Sequence, residues 1–231
     1  MASSQELLKK LLSKANSKSV EGMAKFGMTP TNRLGISVPE MRKIAKENGK
    51  DHATAMELWD SGIPEAQIVA ALIAESGELT EEQMEHWVKD INSWDVCDQV
   101  CMNLFDKSPL AWKKIYDWSE REEEFVKRTA FSLIACIAWH DKTLADEKLI
   151  ELFPIIKRES TDERNFVKKA VNWALRQIGK RNLQLNKKAI ALAKEIKKID
   201  SKPSRWIAAD ALRELESPKV QQRLKNTKPK K

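Results

Sequence analysis

A ring face and a carboxylate one helical turn apart suit chemistry in which positive charge develops. The face attracts a cation, and the carboxylate stabilises it or orients a water. The segment SWDVCDQVC offers that pair. Trp94 and Asp98 stand at i and i+4 on one face of a helix that Ser93 could cap, while Val96, Val100 and Leu104 supply a different, apolar face. Cys101 and Phe105 continue the Trp94 stripe, which equally fits a core tryptophan with Asp98 in a salt bridge. Asp95 lies in the first turn, where a carboxylate serves the helix dipole.

A second arrangement suits a polyanion. Within residues 162–181, Lys169, Trp173, Arg176 and Lys180 fall at i, i+4, i+7 and i+11 and form one stripe. Phe166, Val167, Ala170, Val171, Ala174, Leu175 and Ile178 cover the other side and satisfy the core. Cations neutralise phosphates while a flat ring packs on sugar or base. The alternative is a tryptophan packed under a loop and covered by lysine and arginine stems. Lys127 and Arg128 open a further helix, RTAFSLIACIAWH.

Other chemistry finds little support. Cys97 and Cys101 are helix neighbours without a third ligand nearby, so no metal site is expected. His52, His86 and His140 are scattered, and no Walker or dinucleotide fingerprint is present, so no cofactor is expected.

The elements that must position these residues are helical. SSQELLKKLLSKA, SVPEMRKIAKENG, TEEQ followed by Met84, Trp87 and Val88, and SPLAWKKIYDW each carry a cap signal ahead of a 3.6-residue apolar period. Periodic runs follow at about 122–140, 143–156, 162–181, 184–199 and 203–215, with no strand-like alternation. FVKR at 125–128 returns as FVKK at 166–169, and SRWIAADAL at 204–212 is a weaker third copy. A period near 40 residues is that of HEAT or armadillo repeats, in which helix pairs stack into a curved α-solenoid with a concave face. By this repeat Arg128 corresponds to Lys169, and equivalent positions line one surface, which predicts an extended basic groove.

Composition agrees. Seven glycines in 231 residues are few for a β-rich fold. No apolar run approaches the ~20 residues of a membrane span, and the N-terminus has no apolar signal core. Three cysteines, an odd number, fit reduced thiols in a cytoplasmic protein. The net charge of +7 is unevenly spread. Residues 1–156 hold 19 Lys and Arg against 26 Asp and Glu (19 − 26 = −7), and residues 157–231 hold 22 against 8 (22 − 8 = +14). Such asymmetry points to a polyanion, most often nucleic acid. We expect one repeat domain over 1–216 and a basic, partly disordered tail over 217–231, whose 15 residues carry six Lys and Arg and no acid.

The order LGISVPEMRKIAKE, W-D-x-x-D at 94–98, KRTA at 127–130 and FVKKAVNWALRQ at 166–177 resembles the AlkD-like DNA alkylation repair proteins, HEAT-like repeat DNA glycosylases, over about residues 20–215. The resemblance implies hydrolysis of the N-glycosidic bond of cationic N3- or N7-alkylated purines in double-stranded DNA, by a monomer, with the lesion left stacked rather than flipped into a pocket. Position by position it makes Asp98 the catalytic carboxylate, Trp94 and Trp173 the aromatics that hold the lesion's sugar and backbone, and Arg128 and Arg176 DNA contacts. Lys127, Lys169 and Lys180 join them as DNA-binding cations. The protein would then be cytoplasmic, on the nucleoid when bound to DNA. One departure bears on substrate range: where the family commonly has a tyrosine-containing motif, Met23, Lys25 and Phe26 stand here. Two other readings share the fold, a non-catalytic protein that binds damaged or distorted DNA and a protein-interaction scaffold.

Overall fold

The computed structural model describes residues 2–226, which contain helices and no strand. Its contacts divide the chain into two compact units, one up to Lys113 and one from Lys114 on. The first holds α1 (Ser4–Leu12), α2 (Ser17–Lys25), α3 (Val38–Asn48), α4 (His52–Trp59), α5 (Pro64–Ile73), α6 (Glu81–Asp90) and α7 (Trp94–Asn103), with α8 (Ala111–Ser119) running across the division. The second holds α9 (Glu124–His140), α10 (Asp146–Ile150), α11 (Phe153–Arg158), α12 (Asn165–Gly179), α13 (Leu183–Lys197), α14 (Lys202–Leu215) and α15 (Pro218–Asn226).

In the first unit α5 is the hub, packed by α1, α3, α4 and α7. Its sequence, PEAQIVAALI, is apolar on almost every side, and nearly every residue is buried. Such a helix has no solvent face to give it a period. Two of the capping signals hold in full: Ser3 with Glu6 and Thr80 with Gln83 each close a reciprocal capping box, whereas Ser37 stands at the N-cap of α3 without a side-chain cap hydrogen bond. Trp59 and Trp87 stack with centroids 4.0 Å apart and planes within 5°, and the Trp59 indole N–H donates to Asp90 at 2.9 Å. Both rings are fully buried, unlike Trp94 and Trp173.

In the second unit α12 packs on α9, α13 and α14, α13 also packs on α14, and α11 touches both α12 and α13. The repeat seen in sequence is a repeat of helix starts. The N-caps of α9 and α12 are Glu123 and Arg164 (164 − 123 = 41), and that of α14 is Ser201 (201 − 164 = 37). Phe125 and Phe166, at matching places, meet with ring centroids 5.3 Å apart. The run at 143–156 is two helices rather than one. Pro154 lacks an N–H and is tolerated only in a first turn, so α11 starts afresh there. Part of the segment expected as a tail is α15, anchored by buried Val220 and Leu224; residues 227–231 lie outside the described part. No described helix is long and apolar enough to cross a membrane. Cys97, Cys101 and Cys136 are buried thiols.

Candidate functional site

In the first unit, Trp94 and Asp98 lie one turn apart on α7, both half-buried, while Val96, Cys97, Val100 and Cys101 turn into the core. What holds the start of α7 is the segment between α2 and α3. The Trp94 indole N–H donates to the Phe26 carbonyl at 3.1 Å, and the Thr29 N–H donates to Ser93 Oγ at 3.2 Å. Phe26 itself is 76% exposed, the most open large apolar side chain in the described structure.

An ion network lies beneath this contact. The Arg33 guanidinium, only 2% exposed, donates to both oxygens of Asp95, at 2.8 and 2.9 Å, to Ser93 Oγ at 3.2 Å and to the Thr29 carbonyl at 2.7 Å. Such two-pronged, charge-assisted pairing fixes geometry as well as adding energy. A second carboxylate, Glu65 of α5, lies 3.9 Å from Arg33 and is fully buried. It accepts from the backbone N–H groups of Leu34 at 3.0 Å and Gly35 at 2.8 Å. Gly35 sits at φ +78°, with the Asn16 carbonyl 2.3 Å from where a Cβ would stand, so only glycine fits. Asp95 is therefore the anchor of an ion pair and not a dipole residue alone. Ser93 is the N-cap residue, but its side chain makes no cap hydrogen bond and is spent on Thr29, Arg33 and Asp95.

In the second unit, the expected cation stripe is largely paired. Arg176 lies 2.8 Å from Glu214 and 3.3 Å from Asp210 of α14, and Lys180 donates to Glu214 at 2.9 Å. Lys127 donates to Glu159 at 2.6 Å. Arg128 is buried and donates to the Phe166 carbonyl at 2.8 Å, tying α9 to the first turn of α12. Lys169 alone of these five cations is exposed, and Trp173, one turn along, is half-buried. At the α12 entry, burial pushes the Asp162 carboxyl up, but hydrogen bonds from the Arg164 side chain and backbone outweigh it, leaving it below the usual aspartate range.

Sequence reasoning did not single out Arg33, Glu65, Glu159, Asp210 or Glu214. Glu65 was findable as a charge within an otherwise apolar helix, since such a group must be paired. Asp210, in WIAADAL, carried the same signal. Arg33 lay in a loop with no period to flag it. Among the described residues, no three His, Cys, Asp or Glu side chains converge to hold a metal ion.

The fold is shared with a solved structure from a family of proteins related to the HEAT-like repeat DNA glycosylases with affinity for branched DNA structures. The TM-score is 0.76 at 18% identity, over 92% of this chain and 95% of that one. A designed armadillo repeat protein in complex with a (KR)4 peptide matches at a TM-score of 0.38 and 17% identity, over 80% of this chain and 78% of that one. Comparison with curated proteins returns no match. The family model described as DNA alkylation repair enzyme matches residues 7–215, the span that carries both the Trp94–Asp98 pair and the Trp173 stripe, and the chain belongs to that family.

Proposed function

We propose that the protein is a DNA glycosylase that hydrolyses the N-glycosidic bond of N3- or N7-alkylated purines in duplex DNA. The observation that carries this reading is the Trp94–Asp98 pair on α7, with the helix start held by the Arg33–Asp95 ion pair. Membership of a DNA alkylation repair family supports it.

The chemistry follows from the leaving group. Alkylation at N3 or N7 places positive charge on the purine, so the base departs neutral and needs no strong general acid. Departure leaves an oxocarbenium-like sugar. The Asp98 carboxylate stabilises that cation and positions the attacking water, whose oxygen bonds to the anomeric carbon as its proton passes to the carboxylate. The Trp94 ring adds cation–π stabilisation of about 1–2 kcal/mol where desolvated. The Trp173 ring packs on DNA sugar, and exposed Lys169, a turn away, neutralises a phosphate.

The test is base release from methylated duplex DNA. Asp98→Asn keeps the shape and removes the charge, so excision falls by about 10²-fold or more. DNA affinity holds or rises, because a carboxylate near phosphates repels them. Equal release by both proteins would overturn the carboxylate mechanism. A second reading, a non-catalytic protein that binds distorted DNA, is favoured by the shared fold with a protein of affinity for branched DNA. Binding without base release by the wild type would select it.

A further inference from the structure

The positive charge of the second unit is not distributed as its sequence suggests. Toward the C-terminal half of α12, Arg176 and Lys180 are matched by Asp210 and Glu214, and Arg213 also pairs with Asp210. Among the described residues, Lys168, Lys169 and Lys202, near the starts of α12 and α14, are lysines with no carboxylate in ion-pair range. Each belongs to the N-terminal end of a helix of 14 or 15 residues, where the helix dipole adds to their attraction for anions.

Among them stands an indole. Trp206 is 41% exposed, and the Lys168 ammonium from the neighbouring helix lies 4.9 Å from its ring centroid. Lys202 is one turn before Trp206 on α14, so the two share a face. The placement is also a repeat position. Arg128, Lys169 and Trp206 each stand five residues after their N-caps, Glu123, Arg164 and Ser201. Arg128 is buried against α12, whereas Lys169 and Trp206 face solvent. The row thus ends in an exposed aromatic with the Lys168 ammonium over its ring and Lys202 one turn away on α14.

Cations alone would fit any polyanion; the ring narrows the choice. In a paired duplex the base faces are stacked on one another and closed to a side chain on a helix surface. An unpaired nucleotide presents a free face, and base–aromatic stacking flanked by phosphate-binding lysines is how proteins hold single strands. We propose that Trp206, with Lys168 and Lys202, forms a binding surface for unpaired DNA nucleotides, separate in chemistry from base excision.

The test compares a labelled oligothymidylate with a fully paired duplex of the same length, by anisotropy over a range of salt. Trp206→Ala weakens binding of the single strand by about tenfold and that of the duplex by less than about twofold. Trp206→Phe recovers most of the loss. Lys168→Gln reduces the single-strand salt slope by about 0.7. Trp139→Ala, a similarly exposed indole outside the patch, serves as the control. Equal losses on both DNAs would leave a general phosphate surface and overturn the stacking role; no loss on either would overturn the surface. Base release by the wild type is scored separately, so failure of the glycosylase reading is visible whatever Trp206→Ala does.

Discussion

Arg33 shows what one side chain can decide. Its guanidinium is nearly without solvent, and its charge is answered by Asp95 and, at longer range, by Glu65. Removing one member of a buried ionic network costs more than the network contributes, because the remaining charges stay buried and unanswered. Arg33→Ala is expected to destabilise the first unit by about 3–5 kcal/mol. Asp95→Asn keeps hydrogen-bonding capacity at a partly exposed position and costs less, about 1–2 kcal/mol. Urea unfolding followed by tryptophan fluorescence measures both. A negligible cost for Asp95→Asn beside a large one for Arg33→Ala would mean that Glu65, not Asp95, is the principal partner of Arg33. The distinction matters for chemistry as well as stability. Asp95 is adjacent to Trp94 and one turn from Asp98, so this ion pair sets where the two proposed reactive side chains stand.

At the scale of the element, the helices most legible in sequence are those with one wet face. The apolar stripe of α12 runs from Val167 to Ile178 as its period demands, and the 41-residue spacing of α9 and α12 is a true spacing of caps. The hub helix α5 was not legible in the same way, because a helix buried on every side shows no period. The Trp94–Asp98 face could be read from i, i+4 spacing, but its Arg33 brace joins residues 62 positions apart, and no local pattern encodes that pairing. The cation stripe was legible as a stripe and misleading as free charge, since its partners Asp210 and Glu214 come from another helix. Packing of α12 on its neighbours turns on Gly179. A Cβ there would lie 2.8 Å from both terminal methyls of Leu215 on α14 and 2.9 Å from Ala189 Cβ on α13. Leu215 can rotate, but Ala189 can yield only by moving its helix. Gly179→Ala should therefore destabilise the second unit by about 1–3 kcal/mol despite the better helix propensity of alanine, as overpacking does. A rise in melting temperature would show that α13 gives way at little cost.

Over the whole molecule, charge has to be counted after pairing. The sequence offers a surplus of fourteen cations beyond residue 156 (22 − 8 = +14), but a salt-bridged lysine attracts a phosphate only weakly while its carboxylate partner stays beside it. Glu214 is the critical acid, because it answers two proposed DNA contacts, Arg176 at 2.8 Å and Lys180 at 2.9 Å. Glu214→Gln keeps the shape and the hydrogen-bonding reach but removes the charge. If these two cations lie along the path of DNA, the variant should bind duplex DNA more tightly than the wild type, by about three- to tenfold at low salt. Its plot of log affinity against log salt should steepen by about one for each phosphate newly engaged. The same change at Glu195 of α13, which pairs with exposed Lys157 of α11, serves as a comparison of equal net charge. An equal gain from Glu195→Gln would mean that total charge alone governs affinity. No gain from Glu214→Gln would place Arg176 and Lys180 off the DNA path, as helix-to-helix ties between α12 and α14. A gain confined to Glu214→Gln would mean that the carboxylate holds two DNA-binding cations in check, and that the protein gives up affinity for undamaged DNA to the same pairs that join α12 to α14.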